Sequence, residues 1–268
     1  MAMGIDRFKN LGCALAAVAG LALAGCATTG GVDGEAGVAA STDAPILQTS
    51  LGPVRGTTSE DGEVKIFRGV RYAASTEGMR FQEAADPSPW TAPRDATQFG
   101  PDCPQRPSGN VPVFASWVND LPQSEDCLFL NVWTRGTNDG KKRPIMVWLH
   151  GGGYVTGSGS SHGYDGTRLA ERGDVVIVTI NHRLNGFGYL YLGGVTDDPK
   201  YAHSGNLGSL DAIKALEWVR DNAAAIGGDP DNVTIFGESG GAAKVSTLMA
   251  MEAADGLFDR AIAQSGSM

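Results

Sequence analysis

The 268-residue sequence predicts a three-layer α/β sandwich with a largely parallel central sheet. Three observations point to it. Four short, nearly continuous apolar runs recur after residue 126: Cys127–Trp133, Pro144–His150, Val175–Asn181 and Val233–Gly237. Runs of that length and texture suit strands covered on both faces. Between the last two, Leu207, Leu210, Ile213, Leu216 and Val219 recur at helical spacing. Alternating strand and helix signals then define the layers.

The elements follow in order. From Pro45, short strand-like pieces at Ile46–Thr49, Gly52–Gly56 and Val64–Phe67 are separated by polar and Gly-rich turns, which predicts a small antiparallel lead-in. A Pro- and Gly-rich loop region runs from Ala73 to about Gln123. The apolar strands come next. The helix with i, i+3 periodicity is predicted over Leu207–Ile226, with Gly227-Gly228 as its stop. A second helix is predicted from Gly240 to about Glu252, and a last strand over Arg260–Gln264.

The first 44 residues have a different composition. Arg7 and Lys9 precede an apolar stretch, Leu11–Ala24, that is too short for a comfortable membrane span and fits a secretory signal. It ends in Leu23-Ala24-Gly25-Cys26, which resembles a bacterial lipobox. On that reading residues 1–25 are a signal peptide and Cys26 becomes a lipid-bearing N-terminus. The alternative is a plain signal peptide with an incidental cysteine. Ala27 after the cysteine implies the outer membrane, facing the periplasm, in a host with two membranes. Residues 26–44, rich in Gly, Ala, Thr and Ser, read as a tether, and residues 45–268 as the folded domain.

Composition sets further bounds. A hydrophobic content of 42% and charged content of 19% are those of a globular protein, and a net charge of −9 argues against a nucleic-acid partner. Four cysteines reduce to two once Cys13 leaves with the signal and Cys26 is acylated. Export favours joining Cys103 to Cys127, the alternative being two buried thiols. No histidine or further cysteine stands at metal-ligand spacing, so no metal is expected.

Two glycine-rich motifs carry chemistry. Gly237-Glu238-Ser239-Gly240-Gly241 fits G-x-S-x-G between an apolar strand and a helix, the context of a nucleophile elbow. Small neighbours let the backbone turn sharply enough to lift the Ser239 side chain from the sheet, and the helix N-terminus favours developing negative charge. The alternative is a Gly-rich structural turn. His150-Gly151-Gly152-Gly153 follows directly on a buried strand. A phosphate loop would need a following Gly-Lys-Ser/Thr, and a dinucleotide fingerprint would open a helix at once. Neither occurs. An oxyanion hole is left, with donors from the Gly152, Gly153 and Gly240 N–H groups.

Several stretches, in this order, resemble the type-B carboxylesterase family of α/β-hydrolases, from about Pro45 to Met268. They are Phe67-Arg68-Gly69-Val70, Phe99-Gly100-Pro101-Asp102-Cys103, Glu125 through Trp133, His150–Gly153, Asn181-His182-Arg183-Leu184 and Gly227-Gly228-Asp229-Pro230 leading to Gly237-Glu238-Ser239. The resemblance implies Ser239 as the nucleophile of a carboxylic-ester hydrolase working without a cofactor on a small-molecule ester. It implies the oxyanion donors just named, a Cys103–Cys127 disulfide, and ion pairs Arg80–Glu125 and Arg183–Asp211. Gly240 stands where that family usually has Ala, which predicts a looser backbone there. Arg71 and Ser75 stand where it commonly has prolines.

A serine nucleophile needs a base and an orienting acid, and in α/β-hydrolases both follow the serine. All four histidines, His150, His162, His182 and His203, precede Ser239. Acid and base are therefore expected beyond Met268, with this chain the N-terminal part of the domain, ending after the strand that follows the nucleophile helix. That last strand is expected to be an exposed apolar edge. Two other readings are weighed. One is an inert fragment or a non-catalytic binding or adhesion protein on the same fold. The other, a phosphate- or nucleotide-binding protein, rests on glycine density alone.

Overall fold

A computed structural model describes residues 44–106 and 121–266. The chain divides into two units, Met1–Ala40 and Ser41–Met268, and every described residue belongs to the second. The proposed signal peptide, the acylated Cys26 and nearly all of the tether lie outside the described residues.

The strands are β1 (Ile46–Gln48), β2 (Pro53–Arg55), β3 (Thr57–Thr58), β4 (Lys65–Arg71), β5 (Arg94–Asp95), β6 (Phe129–Thr134), β7 (Arg143–Leu149), β8 (Val176–Ile180), β9 (Gly228–Glu238) and β10 (Arg260–Gln264). The α-helices are α1 (Thr167–Gly173), α2 (Asn185–Tyr189), α3 (Leu207–Asn222) and α4 (Gly240–Met249). Among the described residues, seven strands form the main sheet in the order β10-β9-β7-β8-β6-β4-β3. The pairs β10/β9, β9/β7 and β7/β8 are parallel, whereas β8/β6, β6/β4 and β4/β3 are antiparallel.

The apolar runs become strands because both faces are covered. In β8, Val176, Val178 and Ile180 point into the larger core with Ile213, Leu216 and Val219 of α3 and Val245 and Leu248 of α4. Ile177 points the other way, to Trp133 and Ala170 of α1. Alternation across a strand thus delivers one sequence to two cores.

Several expected bounds shift. The piece at Val64–Phe67 extends to Arg71 as β4 and joins the main sheet, so the antiparallel lead-in is β1 with β2 alone. Arg71 pairs in that strand with Asp126, 2.7 Å from each carboxylate oxygen. Helix α3 ends at Asn222, where the side-chain amide accepts the Ser50 N–H at 2.7 Å and donates to Trp218 O at 2.8 Å. Helix α4 ends at Met249, because Met251 turns to extended backbone and packs on the core. Strand β10 lies at the sheet edge with all five residues exposed.

Cys103 and Cys127 form a disulfide. Both ion pairs are present: Arg80 Nε lies 2.9 Å from Glu125, and the buried Arg183 meets Asp211 at 2.7 and 2.8 Å. The second ties the turn after β8 to α3.

Position of the site follows from connectivity. From β7 the chain crosses to β8 on one side and later returns to β9 on the other. Such a reversal opens a crevice at the carboxyl ends of the two strands, where ligands bind in open α/β sheets. His150–Gly153 follows β7, and Ser239 follows β9.

Candidate active site

Ser239 occupies the junction between β9 and α4 with φ 54° and ψ −117°, a conformation that costs a non-glycine residue about 1–3 kcal/mol. Its amide donates to Gln264 O of β10 at 2.9 Å, and its carbonyl accepts the Ala243 N–H at 3.1 Å. Those bonds fix the turn from both sides. The glycines are required by proximity: a Cβ on Gly241 would lie 2.0 Å from the Leu149 carbonyl oxygen at the end of β7. The result is an exposed serine with Gly237, Gly240 and Gly241 buried around it.

The loop after β7 lies alongside. A Cβ on Gly151 would stand 3.7 Å from Ser239 Cβ, and one on Gly240 would stand 2.4 Å from both Cα and N of Gly153. Gly240, which stands where the resembled family usually has Ala, is the point where the loop lies directly on the helix start. The physical reason is the missing Cβ, which leaves room for the Gly153 peptide.

Each donor amide can be followed to the group that orients it. Carbonyl and N–H of one trans peptide point in opposite directions. The Gly151 carbonyl is 2.8 Å from His150 Nδ1, which places the ring proton on that nitrogen and turns the Gly152 N–H outward. The Gly152 carbonyl accepts the Thr156 N–H at 3.2 Å and the Thr156 hydroxyl at 3.3 Å, which turns the Gly153 N–H outward. Among the described residues neither amide donates a hydrogen bond. Gly240, as first residue of α4, has no intrahelical acceptor. The loop that carries Gly152 and Gly153 thus lies beside the exposed Ser239 and against Gly240.

No histidine is hydrogen-bonded to Ser239 among the described residues. His150 and His182 are buried and stacked on each other at 4.5 Å. Burial pushes the His150 imidazole down to about 3 and holds that of His182 well below its ordinary value, with the neighbouring Lys244 adding to both. His162 is exposed at the start of a short 3-10 turn, and the exposed His203 pairs with Glu83. No cluster of metal-ligating side chains occurs among the described residues.

Two features were missed in the sequence. Lys244 is 3% exposed inside α4, and its Nζ donates to the carbonyls of His150 at 3.0 Å and Gly153 at 2.7 Å. A lone charge directly after the small-residue run Gly240–Ala243 was the available signal. The other is a cavity of about 290 Å³ on the α1 face, where Trp148, Tyr164 and Phe236 meet and Glu238 and Gln264 form the rim. Its residues come from five segments, and no local pattern joins them.

A sharp strand–serine–helix turn beside a glycine-rich loop, at the carboxyl ends of the parallel strands β7 and β9 of a mixed sheet, defines the α/β-hydrolase class. The profile of the carboxylesterase family matches residues 43–268, and the chain belongs to that family. It is 46% identical to para-nitrobenzyl esterase of Bacillus subtilis (strain 168) over 83% of this chain and 44% of that protein. It is 41% identical to acetylcholinesterase of Gallus gallus over 83% of this chain and 30% of that protein. The solved carboxylesterase EST55 of Geobacillus stearothermophilus superposes with a TM-score of 0.74 at 47% identity, over 83% of this chain and 43% of that one. The chain spans less than half the length of these relatives.

Proposed function

We propose that the protein is a serine carboxylesterase in which Ser239 attacks the carbonyl carbon of a small-molecule ester. The observation that carries this reading is the exposed Ser239 in its positive-φ turn at the start of α4, beside a loop whose Gly152 and Gly153 amides donate no hydrogen bond among the described residues. In the reaction the serine proton passes to a base as the Oγ–C bond forms. The carbonyl oxygen becomes an oxyanion held by the Gly152, Gly153 and Gly240 N–H groups. Each such donor contributes ~3 kcal/mol to the transition state. Collapse expels the alcohol, which takes up the proton, and leaves an acyl-serine. Water then attacks the acyl carbon, releases the acid and returns the proton to Ser239.

The base and its orienting acid come from residues outside these 268. Support comes from the four histidines, none of which reaches Ser239, and from the length of the relatives. The leader with Cys26 makes the protein an exported, lipid-anchored enzyme at the periplasmic face of an outer membrane. Incorporation of labelled palmitate that disappears in Cys26→Ala tests the anchor.

Fluorophosphonate labelling of the host membrane fraction, together with p-nitrophenyl ester hydrolysis by the full gene product, tests the esterase. Expected is a labelled band larger than this chain, lost in Ser239→Ala with at least a ~10³-fold fall in kcat. Full activity in Ser239→Ala would overturn the proposal. The second reading, a non-catalytic binding protein, is favoured by the absence of a base beside Ser239 in the described residues. It predicts no Ser239-dependent label on an expressed protein.

A further inference from the structure

Lys244 has no role in the reaction as derived, yet it is placed where it touches the oxyanion loop twice. Its ammonium reaches the carbonyl that opens the loop, His150 O at 3.0 Å, and the carbonyl that closes it, Gly153 O at 2.7 Å. No carboxylate pairs with it among the described residues. The groups that face it are His150 from the end of β7, His182 from the turn after β8, and the Tyr154 ring at 5.4 Å. Burial alone pushes the Lys244 ammonium down to about 7. A cation without a counter-charge is an expensive thing to bury, and an apolar side chain of similar volume would serve the packing better. What an apolar side chain cannot do is hold two carbonyls.

The same loop residue meets a second unusual neighbour. Gly153 rests on Gly240, where even one Cβ would come within 2.4 Å of its Cα and N. Lysine attraction on the Gly153 carbonyl and the absence of a methyl at Gly240 therefore act on one peptide from adjacent turns of one helix. Neither explains the geometry alone. Lys244 supplies the side-chain donor that holds the Gly153 carbonyl, and a methyl at residue 240 would force Gly153 to shift.

We infer that Lys244 is a positioning residue that clamps the oxyanion loop onto the start of α4, with Gly240 providing the space, so that the pair sets where the oxyanion donors stand. The catalytic consequence rests on the esterase reading; the clamp itself does not. In the substitution Lys244→Met the loop is released from the helix. Gly240→Ala forces the same loop outward against the lysine, whereas in the double variant the loop is already free and the added methyl meets little resistance.

The test is a double-substitution cycle of Gly240→Ala and Lys244→Met in the full gene product. It is read by hydrogen–deuterium exchange of residues 151–156 and by kcat and KM on a p-nitrophenyl ester. Expected in Lys244→Met is at least tenfold faster exchange in the loop, with amides of β7 and α3 unchanged. Expected too is a tenfold or greater fall in kcat with KM within about threefold. Gly240→Ala should lower kcat at least tenfold in the parent and less than threefold in the Lys244→Met background. Unchanged loop exchange in Lys244→Met would overturn the clamp, as would strictly additive effects of the two substitutions. If Lys244→Met shows the exchange pattern but the parent shows no Ser239-dependent hydrolysis, the clamp stands and the esterase reading fails. Lys244→Arg separates positioning from bulk packing: it keeps a donor and should restore part of kcat, whereas a filling role predicts it to be worse than Met.

Discussion

The imidazoles of His150 and His182 lie parallel, 3° apart in plane and 4.5 Å between centroids, sealed beneath the loop that flanks Ser239. Nδ1 of His150 donates to the Gly151 carbonyl, while Nε2 of His182 has no hydrogen-bond partner among the described residues. With Lys244 close by, three basic groups share one buried space without an acid among them in the described residues, so both imidazoles are held neutral.

Acid should therefore destabilise the fold through this pair. Folded-state values lie below the unfolded 6.5, so between pH 6.5 and about 3 the unfolded chain binds more protons. The stability contributed by the neutral pair is complete above 6.5 and is lost as pH falls through that window. His182→Phe keeps the ring stack and removes one titrating group. Urea unfolding midpoints at pH 7 and pH 4.5 should differ less in this variant than in the parent. An equal or larger difference would contradict the assignment.

Lys244 predicts a dependence at the other end of the scale. Its folded value of about 7 lies below the ordinary 10.5, so the unfolded chain binds more protons between the two. This group's contribution thus rises as pH goes from 7 to 10.5, and is lost on descent through 7. His150 and His182 are already neutral across that range and do not add to it. In thermal melts, the parent should gain on Lys244→Met as pH is raised from 7 to 9.5; a constant difference in Tm would argue against a buried, titrating Lys244.

The Cys103–Cys127 disulfide closes a span of 24 residues. In the chain-entropy model a loop of that size stabilises by ~3.5 kcal/mol. The double substitution to serine should lower the unfolding free energy by roughly 2–4 kcal/mol, measured in urea without reductant.

Close packing at the elbow makes a sharper demand. Gly241→Ala puts a methyl 2.0 Å from the Leu149 carbonyl, and that oxygen belongs to the end of β7, which cannot yield easily. A loss of about 2 kcal/mol or more in stability is expected, together with loss of Ser239 labelling. Gly186→Ala, with no atom within 4 Å of the new methyl, is the control and should label normally.

Much of this was readable in the linear chain. The runs over β6 to β9 announced buried strands because burial on both faces selects apolar residues at every position, and Arg260–Gln264 was placed as a strand to the residue. Ser239 was proposed as the nucleophile from its glycines and its strand–helix context, Gly152 and Gly153 as donors from the glycine-rich loop after β7, and Gly240 as the residue after the serine. Periodicity reports how buried a residue is, however, and not what covers it. Half of the strand pairs are antiparallel, with β4 drawn from the lead-in into the main sheet, and nothing in the run Lys65–Arg71 names its neighbour. Likewise the tightness at Gly240 is a contact with Gly153, 87 positions away, and Lys244 reads locally as a stray charge. Local composition determined the strands, the elbow and the disulfide partners. Only the folding of β7 against β9 decided that the oxyanion loop would rest on α4, because that contact exists between segments distant in sequence and leaves no local pattern in either.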